Sequence, residues 1–270
     1  MYLKKWTGNG INYAGKTGLE LLTDCSHFIQ FFGYVSTAVW MNRKIRFRQV
    51  VKSLSVCGAG GVWITVLICM LTGVILAYQS SIQLHRFGAD SLLPVLIGCA
   101  ITRELGPLMV AIIASGRCGS AFAAEIGSMK ISEELNALKT MGIDPVQFLV
   151  LPKIFSMLVA VPALTVIGDA MGMLGGLWVG YWELEIPADQ YIQLTVDDVE
   201  LKYFFEGICK SFFFAFEIAL IGSWCGFETG NDAEAVGKST TSSVVIGILV
   251  IVLTDAVMAK IFTVLYQITA

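Results

Sequence analysis

Apolar stretches long enough to cross a bilayer recur along this chain, separated by short polar segments. Between residues 53 and 85 there is no Asp, Glu, Lys or Arg. The part over 56–78 already exceeds the roughly 20 residues that cross hydrocarbon as a helix. Comparable stretches follow at 92–115, 154–182, 207–227 and 244–266. The pattern predicts five spans, and a buried helix or two of a soluble core would not account for so many. Residues 19–40 read differently. There Leu22, Phe28, Phe31, Phe32, Val35, Val39 and Trp40 are mixed with Glu20, Asp24, His27, Gln30 and Ser36. This mixture predicts an amphipathic helix lying in the membrane interface, with an extra span as the alternative. The expected fold is an all-α integral membrane protein, with a cytoplasmic or interfacial segment over 1–52 and a five-span domain over 53–270.

Between the second and third apolar stretches lies a polar, helix-forming insert over about 120–142, closed by Gly142 and Pro145, residues that stop helices. A charged helix in the loop of a membrane protein is placed to push against something in water. That suggests a docking element for a motor on a separate chain.

Basic residues set the expected orientation. Arg43, Lys44, Arg46, Arg48 and Lys52 crowd the entrance to the first span, which places the amino terminus in the cytoplasm. The loop after span two holds Arg117, Lys130, Lys139 and Lys153, consistent with the same side. After span three, Glu183, Glu185, Asp189, Asp197, Asp198 and Glu200 face a single Lys202, as an outer loop would. Five crossings leave the carboxyl terminus outside. Lys4 and Lys5 precede no immediate apolar run, so the start does not read as a signal peptide.

Composition narrows the class further. The chain is 56% hydrophobic and 14% charged, against about 25% charged in soluble domains, and its mean hydropathy is +0.72. A net charge of −3 without a large basic face argues against nucleic acid. The seven cysteines form no C-x-x-C pair and read as small apolar filler. Val236-Gly-Lys-Ser-Thr resembles the end of a phosphate-binding loop. The loop requires a glycine five residues before Gly237, where this chain has Asp232. No nucleotide site is expected. His27 and His85 accompany no nucleophile motif and no metal-ligand spacing, so neither a catalytic residue nor a metal is expected.

Charges inside the apolar stretches are the candidate chemistry. Arg103 and Glu104 fall midway along the second, followed by Gly106-Pro107. A charge at the bilayer centre costs roughly 2.5–3.5 kcal/mol on insertion scales, so it faces a cavity, a partner or another charge. A polar pocket and a helix-bracing ion pair are both open readings. Lys210 and Glu217 lie seven residues apart on one helical face; Asp169, Asp255 and Lys260 complete the set. Bracing is the expected role for Asp169 and Asp255, and Lys210 is expected near enough to the outer surface to snorkel. Gly168, Gly172, Gly176 and Gly180 form a four-residue ridge for close helix approach, within the chain or, alternatively, between two copies.

Ile101-Thr-Arg-Glu-Leu-Gly-Pro107, Gly116-Arg-Cys-Gly-Ser-Ala121, Ala124-Glu-Ile-Gly-Ser-Met129, Glu134-Leu-Asn-Ala-Leu138 and Met141-Gly-Ile-Asp-Pro145 together resemble the MlaE-type permeases. These are the membrane subunits of ABC lipid transporters that work with MCE proteins, and the resemblance covers about residues 45–268. It implies a homodimer with an interfacial helix and five spans, cytoplasmic ATPases on the coupling helices, and an MCE protein on the outer side. ATP and Mg would be held by the ATPase, and this chain would carry no cofactor. A phospholipid would occupy a pocket between the two copies, near Gln79, Arg103 and Glu104, with Leu84 and Phe87 at its rim and Lys210 as a weaker match. Glu217 has no place in that pattern.

In the coupling segment Glu125, Glu133 and Glu134 would meet basic residues of the ATPase. Ile126, Met129 and Leu138 would fill its groove, with Gly127, Met141 and Gly142 in the same segment. The implied function is an ATP-driven permease moving phospholipid between a bacterial inner membrane and an outer-side MCE protein, in support of outer-membrane lipid homeostasis. The alternative is a self-sufficient secondary transporter or channel that uses the intramembrane charges.

Overall fold

The computed structural model describes residues 26, 28–38 and 47–269. Two compact units divide the chain, 1–44 and 45–270. In the first, residues 28–38 form a helix, α1. The remaining positions of the amphipathic helix expected over 19–40, other than Ser26, lie outside the described residues, as do Arg43, Lys44 and Arg46. The second unit is helical throughout, with no strand among the described residues.

Its elements follow from local punctuation. Helix α2 (Phe47–Cys57) meets α3 (Val62–Phe87) through a 3-10 turn at Ala59–Gly61, where three glycines in four residues weaken the helix. Helix α3 stops at Gly88, whose left-handed φ of 62° lets its N–H reach the His85 carbonyl. A second continuous helix runs over Asp90–Ile131. It comprises α4 (Leu93–Ala100), a π-turn at Ile101–Leu105, α5 (Gly106–Ala114), a π-turn at Ser115–Gly119 and α6 (Ser120–Ile131). Helix α7 (Glu134–Thr140) follows. Helix α8 (Pro145–Glu183) starts with Pro145 in its first turn and the Asp144 carboxylate accepting from the Val146 N–H at 2.9 Å. A short α9 (Ala188–Asp198) leads to α10 (Leu201–Phe227) and α11 (Ala233–Thr269).

Among the described residues four helices are long and apolar enough to cross a membrane: Phe47–Phe87, Asp90–Ile131, Pro145–Glu183 and Ala233–Gln267. Helix α10 has comparable length at 27 residues, but it carries Lys202, Glu206, Lys210 and Glu217 and stands outside that set. The 42-residue second helix would be about 60 Å long, twice the hydrocarbon thickness, so a crossing would leave one end in water.

Helix α8 is the central element. Spans one and three touch backbone to backbone: a Cβ on Gly73 would sit 2.0 Å from the Gly172 carbonyl oxygen, and one on Gly175 2.3 Å from that of Met70. Ala77, Leu93, Ile97, Ile101 and Val179 form a core at one end. Ile126, Leu135 and Leu149 form another beside the insert. The outward faces stay apolar. Trp63, Leu67, Leu71, Ile75, Tyr78 and Ile82 make an exposed stripe along α3, and Val245, Leu249, Leu253, Val257 and Ile261 make one along α11.

The insert departs from the single helix expected over about 120–142. Its first half, α6, continues the second long helix, and the chain then breaks at Ser132–Glu133 before α7. Ser132 turns its hydroxyl back to the Ser128 carbonyl at 3.0 Å, and Glu133 adopts φ 59°, an uncommon left-handed geometry for a non-glycine residue. The break turns α7 so that Leu135 joins Ile126 and Leu149 in the core. Ile126 is fully buried there, not free to fill a partner's groove. Gly127 is buried too, with Thr229 Oγ1 2.7 Å from where its Cβ would be.

Candidate functional site

The first π-turn brings the intramembrane charges together. Pro107 has no N–H, so the Arg103 carbonyl lacks its ordinary helical donor, and the helix widens over Ile101–Leu105 at that place. Single π-turns inside α-helices are frequent at functional sites. Two glycines let neighbouring helices close on the turn. A Cβ on Gly207 of α10 would sit 2.1 Å from the Thr102 carbonyl oxygen, and one on Gly106 would sit 1.7 Å from Asp169 Oδ1.

Lys210 lies at the centre of the cluster. Its Nζ is 2.5 Å from Glu104 Oε2, 3.0 Å from Asp255 Oδ1 and 4.0 Å from Glu206 Oε1. The expectation that it snorkels to the outer surface is wrong: its side chain is fully buried. Three carboxylates from three helices hold it more strongly than an interface would. Arg103 donates from Nε to Glu206 Oε1 at 3.2 Å and from Nη2 to Thr263 Oγ1 at 3.2 Å. Its guanidinium carbon also lies 5.8 Å from the Tyr203 ring centroid and 6.0 Å from that of Tyr266, within cation–π range. Two cations thus face three carboxylates across α4–α5, α10 and α11. Burial without compensation would be costly for any one of them; as a group they hold each other.

The cluster is closed on one side only. Glu206 and Lys210 are sealed, whereas the Arg103 and Glu104 side chains keep 28% and 32% of their surface. Arg103, on the open side, reaches Thr263 of α11, a helix whose apolar stripe is left bare.

Other expected site residues fall elsewhere. Gln79 and Phe87 are exposed on α3, and Leu84 packs against the core that includes Ile101. Asp255 braces α11 to Lys210, but Asp169 braces nothing: both its oxygens are buried without a hydrogen-bond partner among the described residues. Its carboxylate rests on Gly106 and pairs with neither cation among the described residues. Glu217 accepts from Thr254 Oγ1 at 2.7 Å, linking α10 to α11. The glycine ridge of α8 faces inward: Gly168 meets Cys69 and Val110, Gly172 meets Ile101, and Gly176 and Gly180 receive Tyr191 of α9. Glu206 was missed because the fourth span was expected to begin at 207. Its signal was present, since it precedes Lys210 by four residues on one helix face.

At the insert, Glu125 is already paired with Lys153 of α8, which is itself buried, so it is not a free charge for a partner. Glu133 accepts from Asn136, and Glu134 accepts from Ser132 at 3.1 Å. Met129 and Leu138 are half-buried against the inner core. Met141 is 64% exposed, and Gly142 takes φ 71° to end α7. Lys130 donates to the Phe227 carbonyl at 2.6 Å, tying this segment to the end of α10.

Residues 50–261 match the family described as Permease MlaE. A probable ABC transporter permease protein of Rickettsia bellii is 30% identical over 254 residues, covering 94% of this chain and 98% of that protein. Another, from Synechocystis, is 31% identical over 212 residues, covering 78% and 81%. The intermembrane phospholipid transport system permease protein MlaE of Haemophilus influenzae is 30% identical over 216 residues, covering 80% and 83%.

Proposed function

The chain belongs to the MlaE permease family and is a membrane permease subunit of the ABC transporter class; from that premise we propose that two copies form the passage for a phospholipid, driven by separate ATPase subunits. The observation that carries the reading is the half-open charge cluster. Arg103 and Glu104 remain about a third exposed midway along an apolar helix, and groups of this kind face a cavity or a partner. A second copy laid over α11 would bury the bare stripe of Val245, Leu249, Leu253 and Val257 and enclose the cluster in an apolar chamber. Such a chamber suits a phospholipid. Each methylene withdrawn from the bilayer is worth about 0.8 kcal/mol, which apolar walls repay, while the partly exposed Arg103 meets the phosphate, held in place by the sealed Glu206 and Lys210.

Direction must come from outside the membrane. The exposed end of α7 and Met141 present a surface to an ATPase, and Leu135, Ile126 and Lys130 connect that surface to α8 and α10. In this reading α10 also crosses the membrane, as the fourth of five spans, its charges being answered within the bundle. The amino terminus is cytoplasmic, the carboxyl terminus lies outside, the membrane is a bacterial inner membrane, and an MCE protein receives or delivers the lipid.

Reconstitution tests the proposal. Liposomes with this chain alone should leave a fluorescent phospholipid in place, and adding the ATPase and ATP should start its transfer. Arg103→Ala should slow transfer while the assembly persists. Transfer at full rate by the unaccompanied chain would overturn the reading.

A further inference from the structure

A cavity with a basic lining lies away from Arg103, on the second π-turn. It measures about 270 Å³ and is bounded by α2, the second π-turn with α6, and the start of α8. Its charged lining is Lys52, Arg117 and Lys153, against Glu125 alone. Lys153 is committed: it is paired with Glu125 and lies 4.7 Å from the Phe122 ring centroid. The uncompensated charge therefore belongs to Arg117 and Lys52.

The Arg117 guanidinium lies against the glycine turn between α2 and α3. A Cβ on Gly60 would sit 2.0 Å from its Nη2, and one on Gly61 3.4 Å from its Nη1. A side chain at 60 would displace the guanidinium from this position. Nη1 is buried and has no hydrogen-bond partner among the described residues. The Gln49 carboxamide oxygen, also in the lining, is buried without a partner too. Turned over, that carboxamide becomes a donor of similar shape. The cavity thus offers an unfinished set of anion-binding donors.

Depth identifies the anion. Leu93 to Arg117 is about 36 Å of helix at 1.5 Å per residue, just over the hydrocarbon thickness, which puts Arg117 at headgroup level. Basic pockets between spanning helices on the cytoplasmic side take anionic lipid headgroups, and a guanidinium fork suits phosphate. We propose that this cavity binds the phosphate of an anionic phospholipid from the cytoplasmic leaflet, through Arg117 and Lys52, as a resident lipid separate from the transported one. The site rests on the orientation given above. It wedges α2 against α6 and α8, the elements that lead to the ATPase-facing segment, so coupling depends on leaflet composition.

The full chain in phosphatidylcholine nanodiscs, with and without phosphatidylglycerol, provides the test. Native mass spectrometry should find phosphatidylglycerol retained in preference to phosphatidylcholine. Arg117→Gln should reduce that preference about fivefold, the equivalent of about 1 kcal/mol per basic residue near an anionic leaflet. Ala121→Trp, at an exposed lining position, fills the space with every charge intact and should act alike; it decides the matter if Arg117→Gln does not fold. Lys238→Gln, in an exposed ion pair elsewhere, should retain the lipid as the parent does. Absence of a preference in the parent chain, an unaffected Ala121→Trp, or loss of the preference when inorganic phosphate alone is added would overturn the proposal. Because the assay reads binding without an ATPase, its failure would leave the transport reading standing, and a failed transport assay would leave this binding untouched.

Discussion

Lys210→Met is the sharpest probe of the charge cluster. The substitution keeps length and volume but removes the cation that Glu104, Asp255 and Glu206 share at 2.5, 3.0 and 4.0 Å. Arg103 would then face three carboxylates, two of them with little or no exposure. Removing one partner of a buried pair costs about 3–5 kcal/mol, mostly because the other charge is stranded. For a chain of this size each kcal/mol moves the melting midpoint by about 2–4 °C, so a fall of roughly 6–20 °C is expected. Thermal unfolding in nanodiscs, followed by tryptophan fluorescence, measures it. Lys238→Met, in a pair whose side chains are 76% and 80% exposed, is the reference and should show no resolvable change. Adding Asp255→Leu to Lys210→Met should recover part of the loss, since it removes one stranded carboxylate. Equal midpoints for Lys210→Met and the reference would refute the claim that these charges hold each other.

Two further outcomes follow from the packing and the insert. Gly73→Leu should abolish a monodisperse peak in size-exclusion chromatography, because its Cβ would meet the Gly172 backbone at 2.0 Å; Gly237→Ala, with open space at its Cβ, should not. Met141→Glu alters an exposed side chain at the end of α7 and should weaken copurification of the ATPase without moving the melting midpoint.

Much of the architecture was readable in advance, and particular residues show where reading stopped. The long charge-free run before His85 needed no tertiary information to become a helix, and Gly142 with Pro145 marked the end of the insert. Glu125 shows the limit. Its position suggested a free docking charge, yet Lys153, 28 residues later, takes it. Ile126 looked like an exposed apolar anchor because nothing local discloses the turn at Glu133 that folds Leu135 over it. Lys210 and Asp255 were visible as intramembrane charges. The meeting of Lys210 with Glu104 required α10 to approach the π-turn through Gly207, a contact between residues about a hundred positions apart.

The order of apolar and polar segments by itself determined that this chain is a set of membrane-length helices with a polar insert. Hydrocarbon leaves a backbone no other way to satisfy its N–H and C=O groups, so hydropathy and length suffice. Only the folded bundle decided which charges neutralise one another, which insert residues are buried and where an unpaired guanidinium remains. Those outcomes depend on how each helix is rotated and how closely glycines let backbones approach, and side chains far apart in the chain set both.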